Sequence, residues 1–173
     1  MSQNEQQRAA LSPAKEKAVI RIEPMQVEDL DAVVALDAMV SNPAWSRAMF
    51  ESELTTNQFA GFWVAKLPAG GVCGYIGFWI VFEELHLLNV AVHPGWQRQG
   101  VAARLVQAVF EAAMAKGVTR ALLEVRASNL AAQQLYARFG FHVIARRAGY
   151  YTQPSEEALI MACEGLHAVN AGQ

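Results

Sequence analysis

Charge is scarce in this chain. Of its 173 residues, 14 are Lys or Arg and 16 are Asp or Glu, a net charge of -2 with histidine neutral. That balance lacks the basic excess of a nucleic-acid partner, so direct nucleic-acid binding is not expected without a local patch. Cysteine is rarer still: Cys73 and Cys163 are too few for a disulfide framework or a zinc site. The simplest setting for two free thiols is a reducing cytoplasm. His86, His93, His142 and His167 have no metal-ligand spacing. No metal is expected, and the four are read as structural or solvated. Long apolar runs are missing, so no membrane span is expected. The opening MSQNEQQRAALSPAKEK also lacks the apolar stretch of a signal peptide.

What is present is enough apolar material for a core. The chain is 53% hydrophobic, which at this length suits one domain. Residues 1–18 are polar and Gln-rich and read as a flexible N-terminal tail. Residues 19–165 read as a single domain with no repeat or linker, and 166–173 as a C-terminal tail. Alternation and helical periodicity predict the order β-α-α-β-β-β-α-β-α-β-β. Strands are expected at 19–23, 62–66, 72–82, 85–92, 120–126, 141–147 and 158–163. Helices are expected up to about 40, from the Ser46 cap to about 54, from Gln97 to about 116, and over 130–139. Residues 150–157 read as a polar loop. Gly74 and Gly77, inside a strand, point to bends or close packing. Such an order predicts an α/β (α+β) domain, a central mixed sheet of about seven strands with helices on both faces.

Two stretches carry chemistry. The first is NVAVHPGWQRQGVAA, residues 89–103. It reads as a strand end, a turn broken by Pro94-Gly95, and a helix start. A helix N-terminus offers unpaired N–H groups and partial positive charge, which suits phosphate. Gly100 has no Cβ to hold a ligand off the backbone, and Arg98 adds a formal charge. The site suits a pyrophosphate; the plain alternative is an ordinary strand–turn–helix junction.

The second stretch is EVRASN, residues 124–129, followed seven residues after Asn129 by Tyr136. Seven residues is nearly two helical turns, so Asn129 and Tyr136 should point the same way. Leu135 and Phe139 should lie off that face, in the core. Glu124 sits toward the C-terminal end of its strand, where ligands gather in open α/β sheets. One carboxylate, one amide and one phenol are therefore expected to line a single cleft. Plainer readings stay open at each position. Glu124 would pair with Arg126 on the surface, Tyr136 would be a half-buried core tyrosine, and Asn129 would only cap a helix. Trp45, Tyr150 and Tyr151 would be packing or exposed aromatics.

NVAVHPGWQRQG, LEVRASNLAAQQLYARFGF, and AGYYTQ with EEALIM resemble the GNAT acyltransferases, and among them the bacterial ribosomal-protein-alanine N-acetyltransferases (RimI type). The resemblance spans roughly residues 19–163 and implies the GNAT fold, with a mostly antiparallel sheet. It implies acetyl-CoA as co-substrate and direct attack by an amine on the thioester. Glu124 matches the family's general base and Tyr136 its general acid. A free α-amine has a pKa near 7.7–8.0 and glutamate one near 4.3, so partial burial would help the base. Val90, Ala91 and Val92 match the strand whose amides hold the acetyl carbonyl and pantetheine. Arg98, Gln99, Gly100, Val101, Ala102 and Ala103 match the pyrophosphate loop, and Asn129 a side-chain contact to the cofactor. Trp45, in NPAWS, and Tyr150 and Tyr151 match the acceptor side. Ala102 and Thr152 depart from the glycine and proline common there.

The implied acceptor is the N-terminal alanine peptide of a small-subunit ribosomal protein. Glu51, Glu53 or Glu124 would attract its charged amine. A lysine side chain or small amine as acceptor is the alternative, and a non-catalytic acyl-CoA-binding module is a third reading. A cytoplasmic monomer is expected.

Overall fold

A computed structural model describes residues 19–166; both expected tails lie outside the described residues, apart from Leu166. Seven strands form one sheet: β1 (Arg21–Pro24), β2 (Ala60–Lys66), β3 (Val72–Val81), β4 (Glu84–Val92), β5 (Arg120–Arg126), β6 (His142–Thr152) and β7 (Ser155–Glu164). Four α-helices, α1 (Leu30–Val40), α2 (Arg47–Thr56), α3 (Val101–Ala115) and α4 (Leu130–Arg138), complete the expected order. The sheet runs β1-β2-β3-β4-β5-β7-β6. Neighbours are antiparallel except β4 and β5, which are parallel. The mixed, mostly antiparallel sheet with helices on both faces is thus the one expected.

Each face has its own apolar cluster. On one, Val101, Leu105, Val109 and Phe110 of α3 pack on Leu85, Leu87, Leu123 and Val125, with Tyr136, Phe139 and Phe141 beside them. On the other, Leu30, Val33 and Leu36 of α1 and Phe50 of α2 cover Phe62, Val64, Tyr75 and Ala91. Burying these faces is the main force for folding. The buried stripe of α3 is broad, including Val106 and Ala113, and Gly117 ends the helix at φ 81°.

Glycine makes room for two aromatic rings across β2 and β3. A Cβ on Gly77 would sit 2.7 Å from Cε1 of Phe62, and one on Gly61 2.4 Å from Cζ of Phe78. The rings cover the glycines of their cross-strand partners, since Phe62 pairs with Gly77 and Gly61 with Phe78. Next to this, the pairing of β3 with β4 slips between Gly77 and Phe78, opposite Leu87 and Asn89. The extra residue, Leu88, resets the alternation. Leu85 and Leu87, then Val90 and Val92, face α3, while Ala91 faces α1.

Several boundaries differ from expectation, among them the start of β2 at Ala60. Helix α3 begins at Val101, not Gln97, because Pro94–Trp96 forms a 3-10 turn and Arg98 and Gly100 hold left-handed φ of 59° and 79°. Strand β1 runs Arg21–Pro24 and not 19–23. The polar loop expected at 150–157 is a tight hairpin, with Tyr151 paired to Glu156 and Thr152 to Ser155. It escaped notice because β6 is an exposed edge strand without an apolar alternation. Among the described residues no helix is long and apolar enough to cross a membrane.

Candidate active site

The sheet opens in its middle. Strands β4 and β5 pair only from Glu84↔Arg120 to Leu87↔Leu123. Beyond that, β4 continues with β3 to Val92, and β5 continues with β7 to Arg126. The edge of β4 that faced β5 is left without a strand partner, and a gap forms between the two strands.

On the α3 face this gap meets a cavity of about 620 Å³. Val90 and Val92 form one wall, the turn and first residues of α3 a second, and α4 a third. The turn is braced from within. His93 Nδ1 accepts the Gly95 N–H at 3.0 Å, Gln97 Nε2 donates to the Val92 carbonyl at 3.0 Å, and Gln99 Nε2 donates to the Gly95 carbonyl at 3.2 Å. The first helical bond runs from Arg104 N–H to the Gly100 carbonyl at 3.1 Å, and no side chain caps the helix. The N–H groups of Val101, Ala102 and Ala103 therefore precede the helix's own ladder. A Cβ on Gly100 would meet nothing within 4 Å, so the space over the turn is open. Arg98 has no hydrogen-bond or ion-pair partner among the described residues. These features fit a diphosphate.

Asn129 and Tyr136 both line this cavity, as their spacing predicts. Asn129 Oδ1 accepts the Ala132 N–H at 3.1 Å, so it is a helix cap as well as a cavity wall. Tyr136 is buried, with its ring 5.7 Å from that of Phe141. Its hydroxyl has no hydrogen-bond partner among the described residues. Burial pushes the phenol far above its usual pKa, with a smaller push from Tyr151. Leu135, expected in the core, is partly buried against it and also lines the cavity, while Phe139 is core as expected.

Glu124 is not in that cavity. It lies between Leu123 and Val125, which face α3, so strand alternation turns it to the α1–α2 face. The expected single cleft is corrected: Asn129 and Tyr136 share one wall, and Glu124 approaches the gap from the other side of the sheet. There Glu124 Oε2 lies 2.7 Å from His86 Nε2. The hydrogen bond to Glu124 raises the imidazole pKa, and burial opposes it. The His86 ring packs nearly perpendicular to that of Trp79, whose Nε1 donates to Glu53 Oε2 at 2.8 Å.

Arg126 does not pair with Glu124. It bonds Glu156 at 3.2 Å and the Asn42 carbonyl at 2.9 Å, and its guanidinium lies 4.1 Å from the centre of the Tyr151 ring. Tyr150 is exposed, and burial and then the charge of Glu124 raise its pKa. Trp45 packs on Phe50 and Phe62, with its backbone N–H donated to Asp37 Oδ2 at 2.7 Å.

Of the candidate residues, Val90, Val92, Arg98, Gly100, Val101, Ala102, Ala103, Asn129 and Tyr136 meet around the cavity. Ala91, Gln99, Glu124, Trp45, Tyr150 and Tyr151 do not line it. Among the residues that the sequence did not single out, two carry charge or titrate. Arg138 lines the cavity from the last turn of α4, and His86 was read as structural or solvated. The available signal for His86 was a lone imidazole between core leucines, which alternation turns away from α3. Among the described residues no three His, Cys, Asp or Glu side chains are grouped to hold a metal.

Residues 30–141 match the acetyltransferase (GNAT) family. A Bacillus subtilis (strain 168) protein, provisionally named a ribosomal protein bS18-alanine N-acetyltransferase, is 36% identical over 147 residues, 85% of this chain and 95% of its own length. The Escherichia coli (strain K12) protein of that name is 33% identical over 144 residues, 82% of this chain and 95% of its own. The crystal structure of the ribosomal-protein-S18-alanine N-acetyltransferase from E. coli superposes with a TM-score of 0.78 at 30% identity, over 86% of this chain and 96% of that one.

Proposed function

Because the chain belongs to the acetyltransferase (GNAT) family, we propose that it acetylates the α-amine of an alanine at the N-terminus of a ribosomal protein, using acetyl-CoA. The observation that carries this reading is the gap between β4 and β5, which has a phosphate-fitting cavity on one face and a carboxylate on the other. The names of the two relatives from B. subtilis and E. coli support the choice of acceptor.

Bound acetyl-CoA supplies an acetyl group activated as a thioester. The N–H groups of Val101, Ala102 and Ala103, with Arg98, hold its diphosphate. Asn129 adds a cavity wall beside it. The unpaired edge of β4 at Val90, Ala91 and Val92 orients the pantetheine and the acetyl carbonyl. The acceptor enters from the α1–α2 face, past Trp45, Tyr150 and Tyr151.

Glu124 takes a proton from the ammonium, and the freed amine forms a bond to the carbonyl carbon while the carbon–sulfur bond breaks. Tyr136 gives its proton to the departing sulfur. As the new bond forms the nitrogen sheds its surplus proton, which passes through solvent to restore Tyr136, and Glu124 releases the proton it took to solvent. Placing base and acid on opposite faces keeps the incoming amine and outgoing thiol apart.

Acceptor competition tests the reading. Peptides with a free N-terminal alanine are assayed against N-terminally blocked lysine peptides and polyamines. The alanine peptide is expected to have the highest kcat/KM. Preference for lysine or polyamine would remove the proposed acceptor. Binding of acetyl-CoA without transfer to any amine would favour a non-catalytic module.

A further inference from the structure

From the contact between β4 and β5 on the acceptor face, we infer that His86 is the positioning residue for Glu124 and that the proton on its ring decides whether Glu124 can act as base. The inference rests on Glu124 being that base.

Geometry supplies the first part. The 2.7 Å contact engages Glu124 Oε2 alone. Among the described residues Oε1 has no partner, so it is the oxygen left for an amine. The ring is itself held. It packs against Trp79 with ring centres 5.9 Å apart at 74°, and Trp79 is tied through Nε1 to Glu53, which also accepts from Asn57 Nδ2 at 2.8 Å. A line of contacts thus runs from α2 through β3 and β4 to the carboxylate on β5. The side chains of His86 and Glu124 are 27% and 24% exposed, so solvent protons reach both.

The second part follows from the chemistry of the ring. A neutral imidazole has one N–H, and facing a carboxylate it must sit on Nε2. In that form Glu124 keeps its negative charge with no positive neighbour in contact. Adding a proton at Nδ1 makes the ring a cation and the contact an ion pair. Protonating Glu124 would then break an ion pair, so the carboxylate is a poor acceptor until the ring loses its proton.

The charged and titratable groups around the ring are Glu124 from β5, Glu84 on its own strand, Glu53 behind Trp79 from α2, and Tyr150 and Tyr151 of β6, which act on it through Glu124. The hydrogen bond to Glu124 and the charges of Glu124 and Glu84 hold the imidazole above its ordinary 6.5, against the opposing effect of burial. Activity therefore rises as pH climbs through a value above 6.5, well above where a lone carboxylate would stop working.

Two readouts test this. One is the titration of the His86 ring by NMR in the intact protein. It should fall above 6.5 in the wild type and move down in Glu124→Gln; a wild-type value at or below 6.5 overturns the inference. The other is the slope of log kcat/KM against pH on the acid side. In His86→Gln, whose amide can still donate but cannot titrate, that slope should drop by one unit. His86→Ala should lower kcat roughly tenfold, the scale of one hydrogen bond to a charged group, and His86→Gln should recover part of the loss. An unchanged slope in His86→Gln overturns the inference even when Glu124→Gln is inactive. Full turnover in Glu124→Gln would instead remove the base reading, and the inference with it.

Discussion

Replacing Tyr136 with phenylalanine separates chemistry from packing. The hydroxyl makes no hydrogen bond with the described residues, and the ring contact to Phe141 at 5.7 Å does not involve it. Its removal costs no protein hydrogen bond, so stability should change by no more than about 0.5 kcal/mol. For a chain of this size that is roughly 2 °C in Tm. Turnover should behave differently. A general acid contributes roughly 10²–10⁴ in rate, and a thiol of ordinary pKa near 8.5 leaves with modest help. The loss in kcat should therefore lie near the low end, about 10²-fold, with KM for acetyl-CoA little changed. Release of free CoA thiol, followed with a thiol-reactive dye, measures both. Burial keeps the phenol protonated far above its usual range, so the deficit should be the same across about pH 6–10. A kcat within twofold of wild type would refute the role. A fall in Tm with little loss of kcat would make Tyr136 a packing residue.

The other predictions concern what holds the two faces. Asp37 is fully buried and accepts from Tyr75 Oη at 2.7 Å, from Trp45 N–H at 2.7 Å and from Ser41 Oγ. Asp37→Ala strands these donors and should cost about 3 kcal/mol, roughly 6–12 °C in Tm by calorimetry; an unchanged Tm would contradict this. Gly77→Ala drives a methyl into Phe62, itself only 4% exposed, and should cost about 1–3 kcal/mol in urea denaturation. Glu156 accepts the Ser128 N–H at 2.6 Å and pairs with Arg126, and these contacts hold its carboxyl below its ordinary 4.5. A depressed folded-state pKa gives stability that is present above the unfolded value and lost as pH falls through the folded one. The stability gap between wild type and Glu156→Gln should thus be open near neutral pH and close in acid; a gap constant from about pH 2 to 7 would count against the pairing.

Local signals were readable wherever one face of an element is buried. The α3 stripe, the Ser46 and Asn129 caps, and the Gly117 and Gly140 stops all stand where side-chain chemistry puts them. The spacing of Asn129 and Tyr136 correctly joined them on one cavity wall. Long-range facts were not readable in this way. The separation of β4 from β5 after Leu87 and Leu123 is a property of two strands and the bulge at Leu88, which no single stretch encodes. Without it, Glu124 was placed in the wrong cleft, although its own alternation with Leu123 and Val125 was correct. The hairpin at Thr152 and Ser155 escaped because an exposed edge strand carries no apolar period. His86 was overlooked because its significance comes from a neighbour 38 residues away.

A crystal structure of this protein with a compound joining an alanine-led peptide to CoA tests the transfer across the sheet most directly. The diphosphate is expected at the start of α3, the peptide on the face of Trp45 and Tyr150, and the joining atoms in the β4–β5 gap between Glu124 and Tyr136. Finding peptide and CoA on the same face of the sheet, or the diphosphate away from Gly100, would contradict the account.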